Sequence, residues 1–194
     1  KGREQGNNLI AESSYVAVIT HMQEVVWSEN QDSVQLGTRL AQGDQLILEK
    51  GLVHISFVDG ARIVAEGPAS LRIDERGAMT WDRGRLLARV SKRAAGFTVE
   101  TPWIKVVDRG TEFGVEVQEE ETEVQVFEGT VETLRLDADP EQVRVLKAGE
   151  AVAFGNSPQQ GFYAKEKKMN RAIYLGLVTM LATSANTNAN ATPI

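Results

Sequence analysis

The feature that most constrains the fold is a short alternation of apolar and polar residues, repeated along the chain and separated by glycine-containing turns. In the stretch GLVHISFV, Val53, Ile55 and Phe57 fall on one side of an extended chain, and polar residues fall on the other. A period of two residues is typical of a half-buried β-strand. Asp59-Gly60 follows directly, and this dipeptide is the strongest short signal for a β-hairpin.

The same alternation predicts many further strands between about residues 15 and 154, without helical patterns between them. Such spacing predicts an all-β sandwich or barrel and not a parallel α/β sheet. We expect Gly67-Pro68 to close one strand, because proline cannot continue a central strand. A slip in apolar phase between Val131 and Leu134 predicts a bulge or a bend. The predicted strands lie near ARIVAE, ASLRID, AMTW, RLLARV, GFTVETP, IKVVD, TEFGVEV, TEVQVFE, TVETLRL, QVRVL and EAVAF.

The ends of the chain differ in composition from its middle, which predicts three parts. Residues 1–14 form a polar lead-in or linker, residues 15–155 a β domain, and residues 156–194 a tail. The apolar run AIYLGLVTMLA in the tail is shorter than the roughly 18 to 20 residues of a membrane-spanning helix. The tail resembles a signal peptide from Met169 onward, with a basic MNR, this apolar run and then SANTNANA, although it stands at the wrong end of the chain. We expect a C-terminal helix packed on the domain, or a disordered tail.

Charge and residue usage exclude several classes of protein. The chain of 194 residues has a net charge of -6, which argues against nucleic acid as a partner. It has no cysteine, so disulfides, thiolate nucleophiles and zinc-thiolate sites are excluded. A single domain of this length buries roughly 70% of the surface that its unfolded chain exposes, so it can form a sizeable core.

The glycine pair in VVDRGTEFGVEV is the strongest candidate for a ligand-binding loop. No Lys-Ser/Thr and no helical pattern follow Gly110 and Gly114, so they form no phosphate-binding loop. Phe113 stands before the second glycine and has no hydroxyl that could attack, so the pair forms no G-x-S-x-G nucleophile elbow. We expect Gly110 to adopt a backbone conformation forbidden to other residues and Gly114 to admit a close neighbour. The segment is predicted to be a turn that enters a buried strand.

Other candidate sites have little support, and we predict no catalytic residue, cofactor or metal. His21 and His54 lie in strand-like contexts with no nearby nucleophile or ligand in sequence. The acidic stretches EEETE and DADPE lack the ligand spacing of a calcium loop, and solvated turns explain them better. Among the tryptophans, Trp81 follows a strand period and is expected in the core. Trp103 follows a proline between strands and is a candidate for an exposed aromatic side chain.

The order of the motifs resembles the FecR domain family across roughly residues 15 to 154. The matching stretches are GLVHISFVDGARIVAEGPASLRI, RGRLLARV, GFTVETPWIKVVDRGTEFGVEV, VQVFEGTVETL and VLKAGEAVAF, and the segment from Phe97 to Val117 is the most specific. The resemblance implies an elongated antiparallel β-sandwich of jelly-roll type. The signature residues on which it rests are Asp59, Gly60, Gly67, Pro68, Phe97, Thr101, Pro102, Gly110, Thr111, Phe113, Gly129 and Gly149.

The resemblance also implies a function. FecR-like proteins are non-enzymatic extracytoplasmic domains of the periplasm or cell surface, anchored by a single inner-membrane helix. Many regulate an extracytoplasmic-function sigma factor, often as anti-sigma factors, and relay a signal from an outer-membrane transporter in iron-siderophore uptake. A protein partner is therefore expected, and membrane contact only through an anchor outside this sequence. Trp103, Lys105 and Arg109 are predicted to bind the partner.

Two features distinguish the sequence from these regulators and keep a second hypothesis open. It contains neither the helical cytoplasmic segment with its membrane helix nor a recognisable signalling domain after the β domain. GPASLRI and TPWIKVVDRGTEFGV are closer to FecR domains of larger envelope proteins, where a lectin-like module can follow. The alternative is therefore a cell-surface binding module, for a glycan, that uses Trp103. Hydrolase activity rests only on chance pairs of carboxylates.

Overall fold

A computed structural model describes residues 15–29, 31, 33–136, 143–157 and 161–187. The lead-in at residues 1–14, the acidic stretch DADPE and the last residues of the tail, 188–194, lie outside the described residues.

The described residues form thirteen strands, two short 3₁₀ helices and one C-terminal α-helix, so the prediction of an all-β chain with a C-terminal helix is confirmed. The 3₁₀ helices span Lys92–Ala94 and Arg171–Tyr174. The other elements are β1 Tyr15–Trp27, β2 Arg39–Ala41, β3 Gln45–Phe57, β4 Ala61–Glu75, β5 Ala78–Val90, β6 Thr98–Glu100, β7 Ile104–Asp108, β8 Glu112–Val117, β9 Glu121–Glu128, β10 Thr130–Arg135, β11 Val143–Lys147, β12 Ala151–Ser157, β13 Gly161–Lys167 and α1 Leu175–Thr187.

All thirteen strands belong to one sheet that divides into two branches at β5. The first half of β5 pairs with β6, and this branch continues through β7 and β10 to β11. The second half pairs with β8, and this branch continues through β9 and β12 to β13. Every pair is antiparallel except β5 with β6, which is parallel.

The two branches face each other across one main core, as expected for an all-β sandwich. Val131 and Leu146 from the first branch belong to the same buried cluster as Val152 and Phe154 from the second. Apolar residues at every second position of the strands supply this cluster, because successive side chains point to opposite faces. The alternation seen in the sequence therefore builds the core directly.

The predicted strand end at Gly67-Pro68 is wrong, because β4 runs through it from Ala61 to Glu75. The peptide bond before Pro68 is cis, and the register with β5 shifts between Glu66 and Ser70. A shift of this kind is a β-bulge, one of the few places where a sheet tolerates a proline. Opposite it, Gly84 has a φ of 98°, and a Cβ there would lie 2.5 Å from the Pro68 carbonyl oxygen.

The bulge predicted in TVETLRL is also wrong. The pairing of β10 with both of its neighbours is regular from Val131 to Leu134. The buried residue that keeps the phase is Thr133, whose hydroxyl donates a hydrogen bond of 3.1 Å to the Arg144 carbonyl oxygen. A buried hydroxyl that makes a hydrogen bond is tolerated in the core. A sequence pattern that considers only apolar residues does not identify such a position as buried.

The turn at Gly110 has the backbone conformation that the sequence predicts. Its φ is 88°, and its N–H donates a hydrogen bond of 2.7 Å to the Asp108 carboxylate. The Thr111 hydroxyl donates a second one to the same carboxylate, which is buried. Burial raises the pKa of Asp108, whereas the hydrogen bond from Thr111 opposes that shift.

We expect Gly110→Val to lower the free energy of unfolding by roughly 2 kcal/mol, because a β-branched residue is strained at positive φ. Chemical denaturation followed by tryptophan fluorescence measures the change. Val107→Ala, two strand positions before the turn and half-buried, is the matched control and should cost less. A Gly110→Val protein as stable as the parent would contradict the role of this glycine.

Candidate protein-binding surface

The outer face of β6, β7, β10 and β11 carries two of the three predicted partner-binding residues. Strand register places Lys105 opposite Leu134, and Leu134 opposite Val143. The next row on the same face joins Val107, Glu132 and Val145. Residues directly opposite in antiparallel strands point to the same side of the sheet. The intervening residues Val106, Val131 and Leu146 are buried in the main core, so this face points outward.

The β11 side of this outer face is apolar and exposed. Val143 is 42% exposed and Val145 48%, although both are valines within a paired strand. Leu136, which follows β10, is exposed as well. Exposed apolar residues that cluster on one face mark interaction surfaces more often than scattered ones do.

Two ion pairs lie beside these apolar residues, on the side of the face away from the free edge of β11. Lys105 lies 3.3 Å from the Glu100 carboxylate, and Arg109 lies 2.6 Å from that of Glu132. The hydrogen bond from Arg109 lowers the pKa of Glu132, and the same contact raises the pKa of Arg109. Both pairs are solvent-accessible, so each contributes little to folding stability. The two ion pairs place charges at fixed positions on this face, and such charges contribute more to the recognition of a partner than to folding stability.

The backbone of β11 adds a further binding feature. Within the described part of the chain, β11 pairs only with β10, so its other edge is not hydrogen-bonded to a strand. An open edge can accept a strand from a partner through main-chain hydrogen bonds. The edge and the exposed valines belong to the same strand, which joins them into one surface.

Trp103, the third predicted partner-binding residue, has a different environment. Its side chain is half-buried and packs against the main core. Its indole N–H is buried and has no hydrogen-bond partner among the described residues. Trp81 is fully buried, as the sequence predicts.

Most of the signature residues lie in turns or in the core, whereas Gly67 and Pro68 lie at the bulge in β4. Phe97 and Phe113 are buried, and Phe97 meets Phe57 edge-on with ring centroids 4.8 Å apart. The Thr101 hydroxyl donates to the Ile104 carbonyl oxygen at 2.9 Å, around the turn at Pro102. Gly60, Gly129 and Gly149 have positive φ at the turns after β3, β9 and β11, and the carboxylate of Asp59 accepts a hydrogen bond from the Ala61 N–H.

Sequence interpretation did not find Glu132, Val143 or Val145 as members of the surface. Each lies more than 25 residues after Lys105 in the chain, and only strand pairing brings them together. The available signal was the alternation in VRVLK, which leaves two valines on the side opposite buried Leu146.

No helix among the described residues has both the length and the apolar character to cross a membrane. The described residues also contain a groove of about 250 Å³ that is lined by β7, β10, β11, β12 and β13. Phe154, Phe162 and Ala164 line it together with Arg135 and Arg144. Arg144 also pairs with Glu166, which does not line the groove, at 3.2 Å.

Comparison with known proteins agrees with the fold and the resemblance. Residues 46–132 match the family described as FecR protein. Two crystal structures of a protein proposed to be an anti-sigma factor, from Parabacteroides distasonis ATCC 8503, have similar folds, each with a TM-score of 0.54. They are 19% and 20% identical to this chain and cover 67% and 68% of it. The similarity spans 63% and 64% of those chains, less than two thirds of their length. No curated protein sequence matches.

Proposed function

We propose that this chain, with a FecR domain at residues 46–132, is a non-enzymatic protein-binding module that regulates an extracytoplasmic-function sigma factor. The observation that carries the proposal is the outer face of β6, β7, β10 and β11, where exposed valines lie beside two ion pairs. The family match and the similar fold of the Parabacteroides protein, proposed to be an anti-sigma factor, support the same role.

The chemistry of the surface suits a protein partner. Val143 and Val145 offer apolar area that water contacts in the free domain. Lys105 and Arg109 at the rim orient a partner of complementary charge. The open edge of β11 adds main-chain donors and acceptors for an extended segment. Together these features describe a partner that contributes an apolar strand with polar flanks.

In this proposal the module works outside the cytoplasm, in the periplasm or at the cell surface. A membrane anchor and a sigma-factor-binding segment would belong to parts of the protein outside this sequence. The partner at the outer face would then be an envelope protein such as an outer-membrane transporter, and iron-siderophore uptake is one signal that such a transporter could report.

The test is made in the native host, with the full-length gene. Deleting the gene should change the transcription of a set of genes that share a promoter element of an extracytoplasmic-function sigma factor. Restoring the wild-type gene should restore regulation, whereas a Val145→Glu gene should not respond to the inducing signal, because a carboxylate would be buried in the interface. Val58→Glu is the matched control, since Val58 is 43% exposed in the turn after β3.

Transcription that does not respond to deletion would rule out the regulatory role. A Val145→Glu gene that restores full signalling would retain the role and rule out this surface. Abundance of both variants is compared by immunoblotting, so that loss of protein is distinguished from loss of signalling.

The glycan-binding alternative depends on Trp103. A sugar-stacking platform needs an exposed aromatic face, and the half-buried packing of Trp103 against the main core does not favour one. No other observation supports the alternative, which stays a prediction.

A further inference from the structure

A second outward-facing region, which extends from β3 through β5 into the second branch, has a row of residues that crosses five strands. Register joins His54 on β3 to Val64 on β4, Val64 to Leu87 on β5, Leu87 to Gly114 on β8, and Gly114 to Gln125 on β9. Val64 and Leu87 are fully buried although they face away from the main core. Another part of the chain therefore covers Val64 and Leu87 on this side of the sheet.

Ion pairs line both sides of this row. On one side, Arg85 lies between Glu66 and Glu116, at 2.7 and 2.9 Å from their carboxylates. On the other side, Arg89 pairs with Glu112, whose side chain is only 5% exposed. The result is a narrow apolar groove between two charged walls. We call it the latch groove and define its floor and edges as Leu52, Val64, Leu87, Gly114 and Phe127.

The chain's own C-terminal segment fills the latch groove. Residues 170–187, here called the latch, include the second 3₁₀ helix and α1. Tyr174, Leu177, Met180 and Leu181 of the latch are buried together with Val64 and Leu87. Leu175, on the opposite side of α1, is 60% exposed.

Gly114 provides a notch for the ring of Tyr174. A Cβ at residue 114 would overlap this ring and would lie 2.8 Å from the tyrosine hydroxyl oxygen. Phe127 meets the ring edge-on, with centroids 5.3 Å apart, and the Arg85 guanidinium lies 5.8 Å from the ring centroid. The close approach expected at Gly114 from the sequence is confirmed, and a side chain makes it.

Polar contacts fix the N-terminal end of the latch on the sheet. Arg171 pairs with Glu112 at 3.1 Å, so this nearly buried carboxylate has two arginine partners. The Asn170 N–H donates to the side-chain oxygen of Gln125 at 2.9 Å, and Gln125 is fully buried. A site of this kind recognises a short helix by one anchor, one charge and an apolar stripe.

None of the latch side chains that the structure describes belongs to the main core. The buried cluster around Tyr174 shares no residue with the cluster inside the sandwich. The residues of the latch also lie beyond the FecR match, which ends at residue 132. The sandwich can therefore keep its core when the latch leaves the groove.

We infer that the latch groove is a recognition site for a short helix with one apolar stripe, and that the latch is its detachable occupant, exchangeable with the same segment of a second copy of this chain. Release would uncover Val64, Leu87 and Phe127 beside charged walls. The groove is distinct from the outer face of β6, β7, β10 and β11, and the inference does not depend on the proposed function.

The experiment uses the whole chain with a protease site inserted between Lys168, which is exposed, and Met169. After cleavage, the C-terminal fragment should remain bound at micromolar concentration and co-elute with the body in size-exclusion chromatography. A fluorescent synthetic peptide of residues 169–187 should then replace it, whereas the uncleaved protein should take up little peptide. Circular dichroism of the cleaved body verifies that the sandwich is folded.

Peptide variants distinguish recognition from nonspecific contact. Tyr174→Ala should weaken binding at least roughly 100-fold, because it empties the notch. Tyr174→Phe should bind as well as the parent or better, because the buried hydroxyl has no hydrogen-bond partner among the described residues. Gly176→Ala should bind several-fold tighter through helix propensity, and Leu175→Ala, at an exposed position of the same helix, should change binding less than about twofold.

Three results would overturn the inference. The fragment could dissociate fully at micromolar concentration, which would show that only the covalent link holds it. The fragment could stay bound without any exchange overnight, which would make it a fixed part of the fold. The Tyr174→Ala peptide could bind like the parent, which would remove the anchor from the recognition.

Discussion

Replacing Trp81 with alanine is expected to lower the free energy of unfolding by about 3–5 kcal/mol, enough to unfold a domain of ordinary stability. Trp81 is 0% exposed and is one of the largest side chains in the main core. Its indole N–H donates a hydrogen bond of 3.0 Å to the Gly84 carbonyl oxygen. The substitution therefore removes a large buried surface and leaves an acceptor without its donor.

Thermal and chemical denaturation followed by far-UV circular dichroism measure this change, since the fluorescence of Trp81 itself is lost. Trp81→Phe should cost less, because it keeps most of the buried ring and loses only the hydrogen bond and some volume. Trp27→Ala is the matched control at a partly buried tryptophan on β1. A Trp81→Ala protein destabilised no more than Trp27→Ala would show that the core does not depend on this side chain.

The environment of Trp81 illustrates which features of the fold are local enough to predict. Alternation alone predicts its burial, and the Asp59-Gly60 hairpin follows from a dipeptide. The bulge at Pro68 could not be predicted in the same way. It depends on Gly84, sixteen residues later, whose missing side chain leaves space for the Pro68 carbonyl. A proline suggests a strand end until the paired strand is known.

The same distinction applies to the two surfaces. Lys105 and Arg109, two of the predicted partner-binding residues, lie within the segment from Phe97 to Val117, where the resemblance is most specific. Val143 and Val145 join them only because β10 pairs with both β7 and β11, which is a long-range property. In the latch groove, the sequence predicts a close neighbour at Gly114 but cannot name Tyr174, sixty residues further along. A glycine in a strand predicts that another group comes close to the backbone, and the topology of the fold determines which residue this is.

Lowering the pH should destabilise the protein through His54, which is buried at one end of the row that leads to Gly114. Burial is the main cause that lowers the pKa of His54 from 6.5 to about 4, and the nearby charges of Arg62 and His21 contribute to the same shift. The Thr20 hydroxyl oxygen lies 2.5 Å from Nδ1, whereas Nε2 has no partner among the described residues. The neutral imidazole is therefore the form that the fold accommodates.

The sign of the effect follows from the two pKa values. Between pH 6.5 and about 4 the unfolded chain binds a proton at this histidine and the folded chain does not. The contribution of His54 to the free energy of unfolding is therefore fully present above pH 6.5 and decreases as the pH falls through this interval. Below about pH 4 this contribution does not change further. The shift corresponds to a loss of about 3 kcal/mol.

Urea denaturation at a series of pH values measures the loss, and His54→Gln separates it from the titration of carboxylates. The variant should lose stability at pH 7, because it replaces a packed ring, but its stability should fall much less between pH 6.5 and 4. His21→Gln is the matched control at the paired position on β1, and most of the pH dependence should remain, because the charge of His21 is the smallest of the three causes. Parallel pH curves for the parent and His54→Gln would mean that His54 is protonated in the folded protein at little cost.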